Sequence, residues 1–266
     1  MLELENMSML IMSCDKFSDL WDGHVKLLEE NWHERGIKTA IVTDAQSDKS
    51  YPNVEIISVG TRKEWSERLE FALKLLETEY VFITLDDYFL IDKVDNKSIS
   101  DLVDIMKNEN YDYIRLFPRP KRATGKGLKN HKKVFDVDIS CDYSVNLYSG
   151  IWKKAFLRST IREPKNAWQF EVSLPQCARE YGAKCLVSNR KDFKILDVVR
   201  KGKLLHKAVR YFKKHPGIYE GKREINTWKY EIRLTVQQQI SRHLPVRIKK
   251  WLKKMLKKRG FQFYTE

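Results

Sequence analysis

Residues 80–91 read YVFITLDDYFLI and set two adjacent carboxylates, Asp86 and Asp87, inside an otherwise apolar run. A carboxylate taken out of water is costly unless it is paired, hydrogen-bonded or metal-bound, and two side by side also repel each other. The apolar half, YVFITL, has the composition of a strand buried on both faces. The aspartates then mark where that strand leaves its sheet. In open α/β sheets, ligands collect outside the carboxyl ends of the strands, which is the place this reading gives to Asp86 and Asp87. Hard oxygen ligands suit Mg2+ or Mn2+ shared with substrate phosphates, with the second carboxylate free to meet a ribose hydroxyl or the ion's hydration shell. An Asp-capped turn is the purely structural alternative.

The segments upstream extend the same pattern. SMLIMSC (8–14), KTAIVTD (38–44) and VEIISVG (54–60) are short apolar runs. Helix-like stretches follow the first and the third of them. In residues 15–36, Leu20, Val25, Leu28 and Trp32 recur at helical spacing and Gly36 supplies a stop; residues 64–79 carry Trp65, Leu69, Phe71, Ala72, Leu75 and Leu76. A further helix is expected over 98–110 and a strand over 111–117. This alternation predicts an α/β protein with a mostly parallel sheet flanked by helices. Cys14–Asp15, Asp44 and Asp86–Asp87 would all lie at strand ends. Beyond residue 118 the periodicity loosens, and the basic stretch PRPKRATGKGLKNHKK (118–133) reads as a mobile loop.

The chain has 266 residues, 42% hydrophobic and 12% aromatic, with 50 Lys and Arg against 36 Asp and Glu, a net charge of +14. That length can bury a full core, and that charge favours an anionic partner. Cys14, Cys141, Cys177 and Cys185 are scattered, with no CxxC pair, which points to reduced thiols rather than a disulfide framework. The N-terminus is short and acidic for a signal peptide, and no apolar run reaches the roughly 18 residues needed to span a bilayer.

The order SCDKFSDLW, TDA, a Trp- and Arg-bearing helix and YVFITLDDYFL resembles nucleotide-sugar glycosyltransferases of the GT-A fold, more narrowly the bacterial enzymes that build capsule, O-antigen or lipopolysaccharide core. SGIWKKAFLRS, NAWQFE and VVRKGKLLH are similar to the acceptor-side and carboxy-terminal motifs of that group, so the resemblance covers residues 8 to about 210. It implies a GT-A, Rossmann-like domain over 1–215 and a metal-dependent transfer from a nucleoside-diphosphate sugar with Mn2+ or Mg2+ as cofactor. Ser13, Cys14, Asp15 and Asp44 would hold nucleobase and ribose, and Arg62, Trp65 and Arg68 would line the nucleotide pocket. Leu85–Asp86–Asp87 stands where the family has its DxD element; this form departs from a strict DxD, and the resemblance assigns the metal to Asp87, with Asp86 beside it and His206 as a third ligand. Glu171, beside the acceptor platform Trp168, would take the acceptor's proton. Arg200, Lys201 and Lys203 flank a Gly turn suited to a diphosphate leaving group, with Lys203 assigned to the donor. Arg119, Lys121, Arg122, Lys126, Lys129, Lys132 and Lys133 would close over the donor or meet an anionic acceptor.

The tail, residues 216–266, is different in kind. Ile240, Leu244, Ile248, Trp251, Leu252, Met255 and Leu256 share one helical face, with Arg242, Lys249, Lys250, Lys253, Lys254 and Lys257 opposite and Pro245 near the start. A basic helix with Trp and Leu on its apolar side reads as an interfacial membrane helix. Together these features describe an enzyme on the inner face of a bacterial cytoplasmic membrane, acting on a lipid-linked oligosaccharide. Two other readings compete. The same carboxylates would serve a nucleotidyl- or phosphotransferase, although no GxxxxGK[ST] loop is present. A pI near 9.5 would also suit a nucleic-acid-binding protein, although no nucleic-acid motif is recognisable.

Overall fold

The computed structural model describes residues 3–243 together with Met255. The strands are β1 (Met7–Met12), β2 (Thr39–Thr43), β3 (Glu55–Ser58), β4 (Tyr80–Leu85), β5 (Tyr88–Leu90), β6 (Tyr113–Arg115), β7 (Thr124–Gly127), β8 (Val134–Val137), β9 (Gly150–Lys153), β10 (Cys185–Ser188), β11 (Ile195–Asp197), β12 (Val199–Arg200) and β13 (Lys203–Leu204). The α-helices are α1 (Trp21–Trp32), α2 (Trp65–Leu75), α3 (Asn96–Glu109), α4 (Lys154–Ser159), α5 (Ala167–Tyr181), α6 (His206–Lys214) and α7 (Trp228–His243). A 3-10 turn over Asp15–Leu20 links β1 to α1.

Nine strands form the main sheet in the order β3-β2-β1-β4-β9-β6-β10-β8-β7. Pairing between β3, β2, β1 and β4 is parallel throughout, as is β6 with β10. Only β9 and β8 run against this common direction. The expected mostly parallel α/β architecture is therefore the one observed. Each residue of β1 and β2 is buried, because helices cover both faces and every side chain, up or down, leaves water. Met9, Leu10, Ile41, Val42, Val81 and Phe82 are all fully enclosed, each contributing roughly 1.5–3 kcal/mol of apolar burial. Helix capping is local and legible. Asn166 and Gln169 form a reciprocal capping box on α5, and Asp95 accepts from the amides of Lys97 and Ser98 at α3, satisfying donors that the first turn leaves orphaned.

Two features depart from the sequence reading. The stretch 118–133 is not a loop throughout. It contains β7, which pairs with β8 at the sheet edge. With Gly at two of its four positions and three of the four exposed, β7 has no apolar periodicity to announce it and is held by its partner. The second departure is a strap. Residues 216–226 return across the body, burying Ile218 and Asn226, and Arg223 forms a two-pronged ion pair with Asp19, Nε–Oδ2 2.7 Å and Nη2–Oδ1 2.6 Å. The amphipathic face read over 240–256 lies outside the described residues, apart from Met255, and the side chain of Ile240 is not described.

The strap explains Gly23 on α1. A Cβ there would stand 1.9 Å from the Ile218 carbonyl oxygen, so only glycine admits the strap's backbone. Ala is otherwise the better helix residue by about 1 kcal/mol. Gly23→Ala is nevertheless expected to lower Tm, because overpacking costs roughly 1–3 kcal/mol. A thermal melt with an unchanged or higher Tm would show that the strap is loosely held.

Candidate active site

The site forms where β1, β2 and β4 end. Ser13, just after β1, donates its hydroxyl to Asp86 Oδ2 in a short hydrogen bond and accepts from Trp21 Nε1 at 2.7 Å. Asp44, after β2, accepts the Asp15 amide on Oδ1 at 2.7 Å. Burial would raise the Asp44 carboxyl, but amide donors and the Arg68 charge hold it below its ordinary value. Arg68 lies buried with Nη2 on the Ser13 carbonyl at 3.3 Å. Ser13, Cys14, Asp15, Asp44 and Arg68 thus form one connected rim. Burial, with Asp86 and Asp44 nearby, pushes the Cys14 thiol up and keeps it neutral. Two residues expected beside them sit differently. Trp65 is 6% exposed and packs on Phe170 with ring centroids 5.1 Å apart, joining α2 to α5 in the core. Arg62 stands exposed in the turn before α2.

The aspartates themselves have separate environments. Asp86 is buried, and burial pushes its carboxyl up to about 7, with Ser13 and the Arg223 charge opposing. His24 Nδ1 lies 3.1 Å from the Asp86 carbonyl. Burial depresses His24 to about 4, so the ring is neutral and its Nδ1–H clamps the turn after β4. Asp87 points elsewhere. Its Oδ1 is enclosed with no hydrogen-bond partner, and so is Oδ1 of Asp197.

Asp197 was not singled out by the sequence reading. It arrives because β11 pairs antiparallel with β5, setting Asp197 opposite Tyr88, while the Val198 amide donates to the Asp87 carbonyl at 2.9 Å. Burial, then Asp86, then Asp197 raise the Asp87 carboxyl well above its usual range. Arg200 holds the other oxygen of Asp197, Nε–Oδ2 3.1 Å and Nη2–Oδ2 2.8 Å. Burial alone would lower the Arg200 guanidinium, yet Asp197, Tyr88 and Tyr148 hold its pKa above normal. Tyr148 stacks with Tyr88 at 5.5 Å and with Phe117 at 4.4 Å.

Glu171, on the first turns of α5, accepts the Leu147 amide on Oε1 at 3.1 Å. Burial raises its pKa, against the opposing charge of Arg200. Trp168, one turn earlier, is 45% exposed and hydrogen-bonds Tyr143, whose pKa is raised by burial and then by Glu171. Arg200 is therefore the group whose field reaches both the aspartate pair and Glu171. Its neighbour Lys207 is exposed as a residue, yet partial desolvation lowers its pKa and it feels Asp197 and Arg200.

Two residues expected in the site, Lys203 on the donor and His206 as a metal ligand, are engaged with other partners. Lys203 is exposed and ion-paired with Glu224 at 2.5 Å. His206 gives both its backbone N and Nδ1 to Glu231 Oε1, each at 2.8 Å, and stacks on Trp228 at 3.6 Å. Arg200 and Lys207 are the cations that lie toward Asp197. The β12–β13 hairpin turns Lys203 toward Glu224.

Among the described residues no group of three or more His, Cys, Asp or Glu is set to hold a metal ion. The two enclosed, partnerless carboxylate oxygens of Asp87 and Asp197 nonetheless fit a hard divalent cation. Such an ion commonly takes one or two carboxylates and completes its shell with water and substrate phosphate.

No family model matches the chain, and no curated protein matches it. Solved structures do. S. aureus TarS 1–349 in complex with UDP-GlcNAc is similar with a TM-score of 0.52 and 14% identity, over 90% of this chain and 68% of that one. The mannosyltransferase PcManGT from Pyrobaculum calidifontis, in complex with GDP-Man and Mn2+, gives 0.49 and 12% over 97% and 81%. A cytidylyltransferase from Leptospira borgpetersenii gives 0.45 and 12% over 84% and 100%. The chain spans 59% and 36% of two further TarS structures. The likeness to the TarS–UDP-GlcNAc structure is one of fold, and the architecture is the GT-A type that the sequence led us to expect.

Proposed function

We propose that this chain is a glycosyltransferase that moves a sugar from a nucleoside-diphosphate sugar to a glycan acceptor. The observation carrying this reading is the position of Arg200, whose charge reaches both the enclosed oxygens of Asp87 and Asp197 and the raised carboxyl of Glu171. The rim of Ser13, Cys14, Asp15, Asp44 and Arg68 holds the nucleoside, and Trp168 offers a flat face to the acceptor sugar. Glu171 takes the acceptor hydroxyl's proton on Oε2, its Oε1 being fixed by Leu147. The acceptor oxygen bonds to the anomeric carbon as the bond from that carbon to the diphosphate oxygen breaks, with inversion. Arg200 and Lys207 meet the negative charge that the leaving diphosphate gains. Asp87 and Asp197 would hold a divalent cation, Mn2+ or Mg2+, which would supply charge compensation for the diphosphate. Asp86, tied to Ser13, positions the turn.

The acceptor we assign is a lipid-linked oligosaccharide of bacterial surface-polysaccharide assembly, met at the inner face of the cytoplasmic membrane through the basic C-terminal segment. Among the described residues no helix is long and apolar enough to cross a bilayer.

A thermal-shift screen with Mn2+ against UDP-, GDP-, CMP- and dTDP-sugars and against nucleoside triphosphates tests the reaction. Binding to the folded state alone raises Tm, by about 2.7 kcal/mol of stabilisation at a hundredfold excess over Kd. One sugar nucleotide is expected to stand out. A response to triphosphates without any to sugar nucleotides would replace this reading with nucleotidyl transfer.

A further inference from the structure

Helix α7 leaves an apolar stripe uncovered. Trp228, Ile232 and Val236 are 57%, 59% and 49% exposed, and Ile225, just before the helix, is 48% exposed. At 3.6 residues per turn, the three helical positions fall within an arc of about 80° and run about 12 Å along the axis. The helix is anchored at its first turn, where Trp228 stacks one face on His206 at 3.6 Å while staying more than half exposed. Ile232 and Val236 continue the stripe beyond that contact. Glu231, roughly 100° round from the stripe's centre, takes two hydrogen bonds from His206, and the Tyr230 ring lies 5.6 Å from Lys201 Nζ. A monomeric surface seldom spends four large exposed apolar residues on one patch without a partner.

We propose that this stripe is a docking surface for an anionic lipid bilayer, formed by the folded body and not by the C-terminal segment alone. Charge selects the partner. Lys222, Lys229 and Arg233 are exposed around the stripe. The nearby acids Glu224 and Glu231 are already paired with Lys203 and His206. From residue 232 to 265 the sequence has ten Lys and Arg and no Asp or Glu. A second copy would bring the same cations against these and be repelled, and the chain's own basic tail would meet the same repulsion. A nucleic acid would use the cations but leave the Trp and Ile in water. An anionic leaflet answers both features, taking the apolar side chains at the headgroup boundary and the cations at its surface.

The placement has a consequence that rests on the proposed sugar transfer. His206 opens α6 and the next residue, Lys207, belongs to the polar cluster of Asp197 and Arg200. Seating α7 on a bilayer therefore brings the crevice beside the headgroups, where a lipid-linked acceptor presents its glycan.

The test uses the full chain and vesicle flotation, on phosphatidylglycerol–phosphatidylcholine vesicles and on phosphatidylcholine alone. Wild type is expected to float with the anionic vesicles and weakly, if at all, with the neutral ones. The neutral double substitution Ile232→Ser/Val236→Ser removes apolar contact without changing charge, and its partition coefficient is expected to fall about tenfold or more. Ile232→Leu/Val236→Leu should restore it. Circular dichroism and Tm confirm that both variants fold, which exposed positions favour. Binding of the Ser variant within about twofold of wild type would assign attachment to the tail and overturn the proposal. So would stripe-dependent self-association in light scattering with no vesicle binding. Neither outcome touches donor binding, which the thermal-shift screen reads separately.

Discussion

Glu171→Gln is expected to lower kcat by a factor of roughly 10^2–10^4 while leaving the donor's KM nearly unchanged, because a positioned base contributes that much to proton transfer and touches no part of the donor. The substitution keeps the side chain's shape and its acceptor on Leu147 N, so the start of α5 stays in place. In wild type the base must be ionised. Burial raises its pKa above the ordinary 4.5, so kcat/KM should fall on the acid side through an apparent pKa above that value. The Gln variant's residual activity should lack that limb. Stability moves with the opposite sign. A carboxyl whose folded pKa is raised above its unfolded value favours the fold at low pH and loses that contribution as pH rises through the folded pKa. The Tm of Glu171→Gln should therefore gain on wild type at alkaline pH. An acid limb that persists in the variant would move the base to another residue.

The first half of the chain was legible because β1, β2 and β4 are short, apolar and buried, and the helices α1 and α2 between them carry matching apolar stripes. YVFITL and KTAIVTD needed no partner to be recognised. The second half depends on pairings between distant segments. β9 runs antiparallel between β4 and β6, and β7 is an edge strand of TGKG, so neither carries a periodicity of its own. The site divides in the same way. Asp86 and Asp87 stood out as charges inside an apolar run. Asp197 in KILDVV looks like any polar residue in a short strand, and only the β5–β11 register turns it into the partner of Asp87. RKGKLLH was recognised as a cationic turn, but which of its cations enters the site is decided by Glu224 and Glu231, acids beyond the resemblance. The signal that could have helped is the acid–base balance of that turn. Lys203 and His206 have carboxylates waiting downstream, whereas the partner of Arg200 lies three residues upstream, at the end of β11.

The second large effect belongs to Asp87, and its direction differs between stability and function. Asp87→Asn removes one of three neighbouring carboxylates, Asp86, Asp87 and Asp197, whose mutual repulsion raises Asp87 in the free protein. It also replaces one of the two carboxylate oxygens, of which Oδ1 has no partner, by an amide nitrogen that donates. The free protein should therefore gain a few degrees in Tm at pH 8, where the wild-type carboxyl is driven toward its charged form. The same substitution takes away half of the enclosed oxygen pair that fits a divalent cation, so the Mn2+-dependent rise in Tm on adding the sugar nucleotide should vanish, and transfer should drop by at least about a hundredfold, a loss on the scale of removing one preorganised charge-stabilising group. Gaining stability while losing function is what a site held under electrostatic strain does when the strain is relieved. Asp197→Asn should share the loss of the Mn2+ response, but Arg200 is then left without its carboxylate, so its free-state Tm should fall. The two variants thus separate a cation site from an ordinary ion pair. An Asp87→Asn protein that loses Tm and keeps full Mn2+-dependent donor binding would show that these carboxylates hold the turn together and bind no ion.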